Sequence, residues 1–260
     1  MEEVIQVRDL VRTYKKKRGF FIRKIEKIEA VRGITFSVNK GEIFGILGEN
    51  GAGKTTTIKI MITLLAPTAG VCKVLGYDTY DQAQFVREHI NFIFGGEMGV
   101  YRRLSARDNL IYFAGLYKVN RKDALVLTEQ LLELVGLEQD ADRLVETYSK
   151  GMIQRLQIAR GLVNNPDIIF MDEPTVGLDP MGARMLRNVI RELKEQGKTV
   201  VLTTHYMNEA DELCDRVAIM NKGKILKLDT PESIKNGYCE SNSLEDAFIN
   251  IISSDRREKG

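Results

Sequence analysis

Apolar and polar positions along this chain follow two periods. Val4 to Leu10 and Thr35 to Val38 alternate as half-buried strands do. Glu42 to Leu47 is a short apolar strand running into Gly48. Thr55 to Leu65 has the length and period of a helix, closed by Pro67 and Gly70 ahead of a strand at Val71 to Leu75. From Leu104 to about Leu162 the pattern is helical, in three stretches: Asn109 to Tyr117, Lys122 to Val135 and Met152 to Leu162. Strands and helices then alternate again: strand Asp167 to Met171, helix Met181 to Gln196, strand Thr199 to Thr204, helix Met207 to Leu213, strand Arg216 to Met220. The order predicts an α/β fold with a mainly parallel sheet, into which a helical subdomain of about residues 100–163 is inserted. A short strand at Lys224 to Leu228 follows. The tail ends in a helix with Leu244, Phe248 and Ile252 at i, i+4 and i+8. Residues 1–230 are read as one domain and 231–260 as a C-terminal helical extension.

Composition changes this picture little. Of 260 residues, 43% are hydrophobic and 28% charged, enough for a sizeable core. Thirty-eight Lys and Arg against 36 Asp and Glu leave a net charge of +2, which gives no case for nucleic-acid binding by bulk charge. Cys72, Cys214 and Cys239 are scattered without a C-x-x-C pair and read as reduced cytosolic thiols. Met1 to Leu10 lacks an apolar stretch of signal-peptide length. No apolar run approaches the roughly 18 residues of a membrane span, so any pore must come from another polypeptide. No internal repeat is visible.

One segment is unusual. Lys15, Lys16, Lys17, Arg18, Arg23, Lys24 and Lys27 crowd between Tyr14 and Ala30 among Phe20, Phe21, Ile22, Ile25 and Ile28. Phe21, Ile25 and Ile28 share a helical face, which suits a basic amphipathic element on anionic lipid or on a membrane partner. The plainer reading is a solvated hairpin extension.

Gly48-Glu49-Asn50-Gly51-Ala52-Gly53-Lys54-Thr55 matches G-x-x-x-x-G-K-[ST], the P-loop, between a strand and a helix as that motif requires. Its glycines let successive N–H groups turn toward phosphate oxygens. Lys54 reaches the β- and γ-phosphates, Thr55 offers a hydroxyl to Mg²⁺, and the helix presents its positive end. Ile168 to Met171 is a strand apolar at every position that ends in Asp172 and Glu173, at the edge where ligands sit in such sheets. Asp172 is then placed to hold Mg²⁺ and Glu173 to act on the attacking water as general base. These features alone leave kinases, helicases and GTPases open.

Three more features narrow the choice. Ser149-Lys150-Gly151-Met152-Ile153-Gln154-Arg155 resembles the signature motif of ATP-binding-cassette ATPases, L-S-G-G-Q ahead of a helix. Asp172-Glu173-Pro174-Thr175-Val176-Gly177-Leu178-Asp179-Pro180 resembles that family's Walker B segment and D-loop. His205, after the Thr199 to Thr204 strand, matches its switch histidine, and Tyr14 sits where the family stacks an aromatic ring on adenine. The resemblance runs from about Val4 to Asp229. It implies a P-loop core with an N-terminal antiparallel β subdomain and an inserted helical subdomain. ATP would be held by Tyr14, Gly48, Asn50, Gly51, Ala52, Gly53, Lys54, Thr55 and Thr56. Ser149, Gly151 and Asp179 would face the nucleotide of a second cassette, and Glu173 and His205 would be catalytic. Independently, Ser149 and Gly151 open a helix, a ready anion site whose plainer reading is an ordinary Ser cap.

With one copy of each motif, the resemblance implies a homodimer, or a heterodimer with a similar cassette. It also implies a separate polytopic membrane permease and a place at the cytoplasmic face of the cell membrane. Three positions depart from the motif: Tyr148 stands for Leu, Lys150 for Gly and Met152 for Gln. At Ile93-Phe94-Gly95-Gly96-Glu97, Gly96 stands where the family has a metal-contacting Gln. That wording, the basic insert and Leu244-Glu245-Asp246-Ala247-Phe248 resemble cassettes of drug-resistance, sodium-extrusion and polysaccharide-export systems. A soluble cassette acting on ribosomes or DNA is the alternative, although such relatives carry two cassettes or long coiled coils. A P-loop kinase would leave the signature, Asp179 and His205 unexplained. His89 is read as structural.

Overall fold

The computed structural model describes residues 2–18, 24–94, 99–239 and 243–257. Its backbone divides into two compact units, residues 1–87 with 201–260, and residues 88–200. The first unit opens with two long strands, β1 (Glu3–Arg18) and β2 (Lys24–Asn39), paired antiparallel from Glu3↔Asn39 to Arg18↔Lys24. Lys15 to Arg18 therefore pair with Lys24 to Lys27 at the far ends of the two strands, in line with the hairpin reading. Ile25 and Ile28 lie on a strand, which removes the helical face expected for them, and Phe21 lies outside the described residues. Strand β3 (Ile43–Leu47) is buried at every position, as an apolar run without alternation requires.

Helix α1 (Lys54–Met61) ends four residues earlier than the pattern predicted. Thr63 adopts φ 67°. Thr63 N–H donates to the Ile60 carbonyl at 3.1 Å and Leu64 N–H to the Lys59 carbonyl at 2.9 Å. These are the two bonds of a Schellman motif, normally closed by glycine. The Thr63 hydroxyl compensates locally by accepting from Arg87 Nε at 2.6 Å. Strands β4 (Ala69–Val74) and β5 (Tyr77–Asp78) complete a four-stranded antiparallel sheet in the order β2-β1-β4-β5, and α2 (Ala83–His89) follows.

The second unit begins with β6 (Ile90–Phe94), which pairs in parallel with β7 (Ile168–Asp172). Between them run α3 (Ala106–Leu116), α4 (Arg121–Leu134) and α5 (Lys150–Arg160). Each has a side-chain cap: Ser105 accepts from Asp108 N–H, Asn120 from Asp123 N–H and Ser149 from Met152 N–H. After β7 comes α6 (Pro180–Glu195), capped by Asp179 with proline in its first turn and burying Leu186, Val189, Ile190 and Leu193 on one stripe. Gly136 and Gly197, with φ of 60° and 80°, stop α4 and α6 in the way Thr63 stops α1. Lys118 does the same for α3 with φ 61°.

Strand β8 (Thr199–Thr204) is wholly buried and returns the chain to the first unit, which adds α7 (Met207–Leu213), β9 (Arg216–Asn221) and β10 (Lys224–Asp229). Strand β9 is parallel to β3 and antiparallel to β10. The tail holds a helix the pattern missed, α8 (Pro231–Tyr238), before α9 (Leu244–Arg257). Leu244, Ala247, Phe248, Ile251 and Ile252 of α9 are buried. At roughly 1.5–3 kcal/mol for each large side chain, that stripe is enough to hold the helix down. The fold is α/β with one mostly parallel sheet and an antiparallel N-terminal sheet. None of the described helices is long and apolar enough to cross a membrane.

Candidate nucleotide site

The expected site residues fall in both units. Tyr14, Gly48–Thr56 and His205 belong to the first; Ser149, Gly151, Asp172, Glu173 and Asp179 belong to the second.

In the first unit the P-loop leaves β3 at a buried Gly48, and Ala52 N–H donates to the Glu49 carbonyl at 3.1 Å. Gly51 has φ 83° and Gly53 φ 109°, backbone that a side chain opposes. The glycines are needed for space as well. A Cβ on Gly48 would lie 2.3 Å from the Met220 carbonyl oxygen, and one on Gly53 2.4 Å from that of Ala30. Gly53 caps α1 and makes no side-chain cap bond. Lys54 is 4% exposed, and its ammonium donates to the Gly48 carbonyl at 2.7 Å. A buried cation and a row of N–H groups at a helix N-terminus form a cradle for an anion. Asn50, Gly51 and Thr55 are exposed and Thr56 half-buried.

Tyr14 lies on β1 and is 36% exposed, opposite Ile28, with the Arg12 guanidinium carbon 4.9 Å from its ring centroid. His205 follows β8, half-buried, its ring centroid 4.2 Å from that of Tyr206.

In the second unit Ile168, Ile169, Phe170 and Met171 are fully buried, and Asp172 and Glu173 emerge half-buried at the strand's carboxyl end. Glu173 has φ 49°. A non-glycine residue in left-handed backbone costs roughly 1–2 kcal/mol, and such strain gathers at functional positions. Ser149 and Gly151 begin α5, Ser149 exposed, its hydroxyl accepting from Met152 N–H at 3.2 Å. Asp179 likewise accepts from Gly182 N–H at 2.7 Å.

The unit also explains one departure from the signature motif. Tyr148 is buried and its hydroxyl donates to the Asp140 carbonyl at 2.6 Å, so a ring replaces Leu and its polar end finds a partner. Burial, with Asp140 nearby, raises its pKa above the usual tyrosine range. One residue was missed by sequence reasoning. Gln154, buried on α5, donates to the Pro174 carbonyl at 3.2 Å and ties the signature helix to the loop after Glu173. Its place five residues past Ser149, at i and i+3 with the buried Gln157, was the available signal. Gly96 and Glu97 lie outside the described residues. His89 pairs with Asp167 at 2.8 Å where β6 and β7 start side by side, in agreement with a structural role.

The ABC transporter family profile matches residues 31–176. The sequence is 42% identical over 214 residues to the ABC transporter ATP-binding protein NatA of Bacillus subtilis, covering 82% of this chain and 87% of that protein. The chain belongs to the ABC transporter family. The cassette is also 44% identical over 234 residues to a fluoroquinolones export ATP-binding protein of Mycobacterium tuberculosis, covering 90% of the chain and 73% of the relative. Among solved structures it resembles an ATP-binding cassette seen as a dimer in a post-hydrolysis state with ADP and phosphate. That match has TM-score 0.75 and 27% identity, and spans 87% of this chain and 98% of the other. The cassette is thus an ATP-binding and ATP-hydrolysing transporter subunit. The family implies that it acts as a dimer with a separate membrane-spanning subunit.

Proposed function

We propose that this cassette drives export by closing on ATP with a second copy of itself, and reopening on hydrolysis, at the cytoplasmic face of the membrane. The observation that carries the reading is the P-loop cradle: α1 begins without a side-chain cap, directly beneath a loop into which Lys54 is folded. Its amides and ammonium suit the β- and γ-phosphates, with Gly48, Asn50, Gly51, Ala52, Gly53, Thr55 and Thr56 lining the chain's approach to them. Tyr14 offers one ring face to adenine. Among the described residues no three His, Cys, Asp or Glu side chains cluster as a metal site. Mg²⁺ takes few protein ligands and completes its shell with phosphate and water oxygens. Thr55 would supply a hydroxyl and Asp172 a carboxylate, and the ion would neutralise charge on the phosphates.

Glu173 accepts a proton from the attacking water, and His205 holds that water and the γ-phosphate in line. Ser149 and Gly151 meet the γ-phosphate held by the partner copy, with Asp179 beside them. ATP touching both a P-loop and a partner's signature binds the closed dimer better than the open one, which is the condition for it to drive closure. Export rather than uptake is supported by the relatives named for fluoroquinolones export and daunorubicin/doxorubicin resistance. The basic hairpin would rest near anionic lipid or the permease.

Gentle purification of the chain from native membranes tests the reading. A polytopic membrane protein recovered in fixed ratio is the expected companion; recovery from the soluble fraction with ribosomes or DNA would overturn it.

A further inference from the structure

The C-terminal helix α9 lies beyond the residues matched by the family profile, and the reaction described above gives it no task. Its last turn carries Asp255, a carboxylate at the helix end where the macrodipole disfavours negative charge. The carboxylate is engaged: Asp255 Oδ2 accepts from Nδ2 of Asn221 at 3.1 Å. Asn221 is 6% exposed and is the last residue of β9.

Asn221 holds one side of a tight turn. It pairs with Lys224 across β9 and β10, leaving Lys222 and Gly223 as the loop, with φ of 45° and 82°. Two positive φ values in a two-residue hairpin are those of a type I′ turn. The turn grips the P-loop. Gly223 N–H donates to the Ala52 carbonyl at 2.8 Å, and the Gly223 carbonyl accepts from Arg32 N–H at 2.8 Å. On the strand just before it, the Met220 carbonyl is the atom that any side chain on Gly48 would strike. A Cβ on Gly223 would meet the Ala30 carbonyl at 2.9 Å, the same atom that excludes one from Gly53. Helix α9 also packs on α7, which starts two residues after His205.

We infer that α9 braces the nucleotide loop, with Asp255 and Asn221 as positioning residues that act through the Lys222–Gly223 turn on the backbone of Ala52. Neither touches nucleotide. Their bond fixes the end of β9, the turn keeps its grip on Ala52, and the loop amides stay aimed at phosphate. The tail of the chain thereby sets ATP affinity, and whatever displaces α9 loosens the nucleotide.

The inference rests on the P-loop reading and is tested on the full chain with a fluorescent ATP analogue. Asn221→Ala and Asp255→Ala should each raise the analogue's Kd about fivefold, the affinity equivalent of one hydrogen bond. The double variant should go no further than Asp255→Ala alone, since Asn221 acts through the bond that this variant already removes. Asp255→Asn keeps an acceptor oxygen and should restore Kd to within about twofold. Turnover at saturating ATP should hold, because Glu173 and His205 are untouched. Kd unchanged in both single variants, or effects that multiply in the double, would overturn the brace, whatever happens to Tm. If Asp255→Ala folds poorly, Asn221→Ser with hydrogen exchange at residues 50–56 gives the same reading. Faster exchange there is expected, and exchange at the native rate would refute it. Failure of the P-loop reading looks different: Lys54→Ala would bind the analogue as the native chain does.

Discussion

Two helices in this cassette start at positions meant for phosphate, and they are built in opposite ways. At α1 the cap is Gly53 in left-handed backbone, which makes no side-chain cap bond, and Lys54 is buried. At α5 the cap is an exposed Ser149 whose hydroxyl takes the Met152 amide, and Gly151 stands in ordinary helical backbone with no neighbour within 3.4 Å of an added Cβ. The first is a cradle shaped by glycine at positive φ over a buried lysine whose ammonium donates to the Gly48 carbonyl. The second is a satisfied helix end that is stable by itself and open to what another molecule presents. On the function proposed above, the difference suits the two roles: α1 to hold a nucleotide and α5 to meet one held elsewhere.

The contrast can be broken by substitution. Lys54→Ala should produce the largest effect, weakening ATP binding by roughly 2–5 kcal/mol, the cost of removing a buried charge's partner. Calorimetry on the single chain reads it, and native affinity would deny Lys54 its place. Gly53→Ala comes next. Its φ of 109° and the 2.4 Å approach to the Ala30 carbonyl leave no room, so the fold should lose about 2 kcal/mol or more in a denaturant titration, with ATP affinity falling alongside. Ser149→Ala should cost about 1 kcal/mol of stability as a lost cap. Its ATP affinity as a single chain should be unchanged, while ATP-driven dimerisation weakens about tenfold. A matching loss of affinity in the monomer would mean that α5 serves its own nucleotide. Gly151→Ala should have the smallest effect on the fold, a gain of up to about 1 kcal/mol from helix propensity, with dimerisation impaired by the added methyl. A gain in both would remove Gly151 from the contact.

The sequence is legible where local chemistry and period agree. The P-loop announces both its turn and the strand and helix around it, and the unbroken apolar run Ile168 to Met171 is buried as read. It misleads where one residue adopts a conformation foreign to its type. Thr63 ends α1 in left-handed backbone, and nothing in threonine signals that. Helix α8 was overlooked although Thr230 and Pro231, its cap and first residue, are recognisable helix-start chemistry. The basic segment allowed a helical face or a hairpin because a short apolar spacing fits either period; the antiparallel pairing of β1 with β2 places Ile25 and Ile28 on a strand, in line with the plainer hairpin reading. Asn221 and Asp255 were invisible because their link joins residues far apart in the chain, and neither type stands out alone.

The thiols fit the same account. None forms a disulfide, and burial pushes Cys72 up to about 12 and Cys214 well above the usual thiol range.

The most direct test of the central claim is the mass of the Glu173→Gln chain in solution with and without ATP and Mg²⁺. Removing the general base should slow hydrolysis by roughly 10²–10⁴ and let the closed state accumulate. Light scattering should then find a dimer with ATP and a monomer without it, and adding Ser149→Ala should push the ATP form back toward monomer. A chain that stays monomeric at saturating ATP, or turns over at the native rate, would contradict the account.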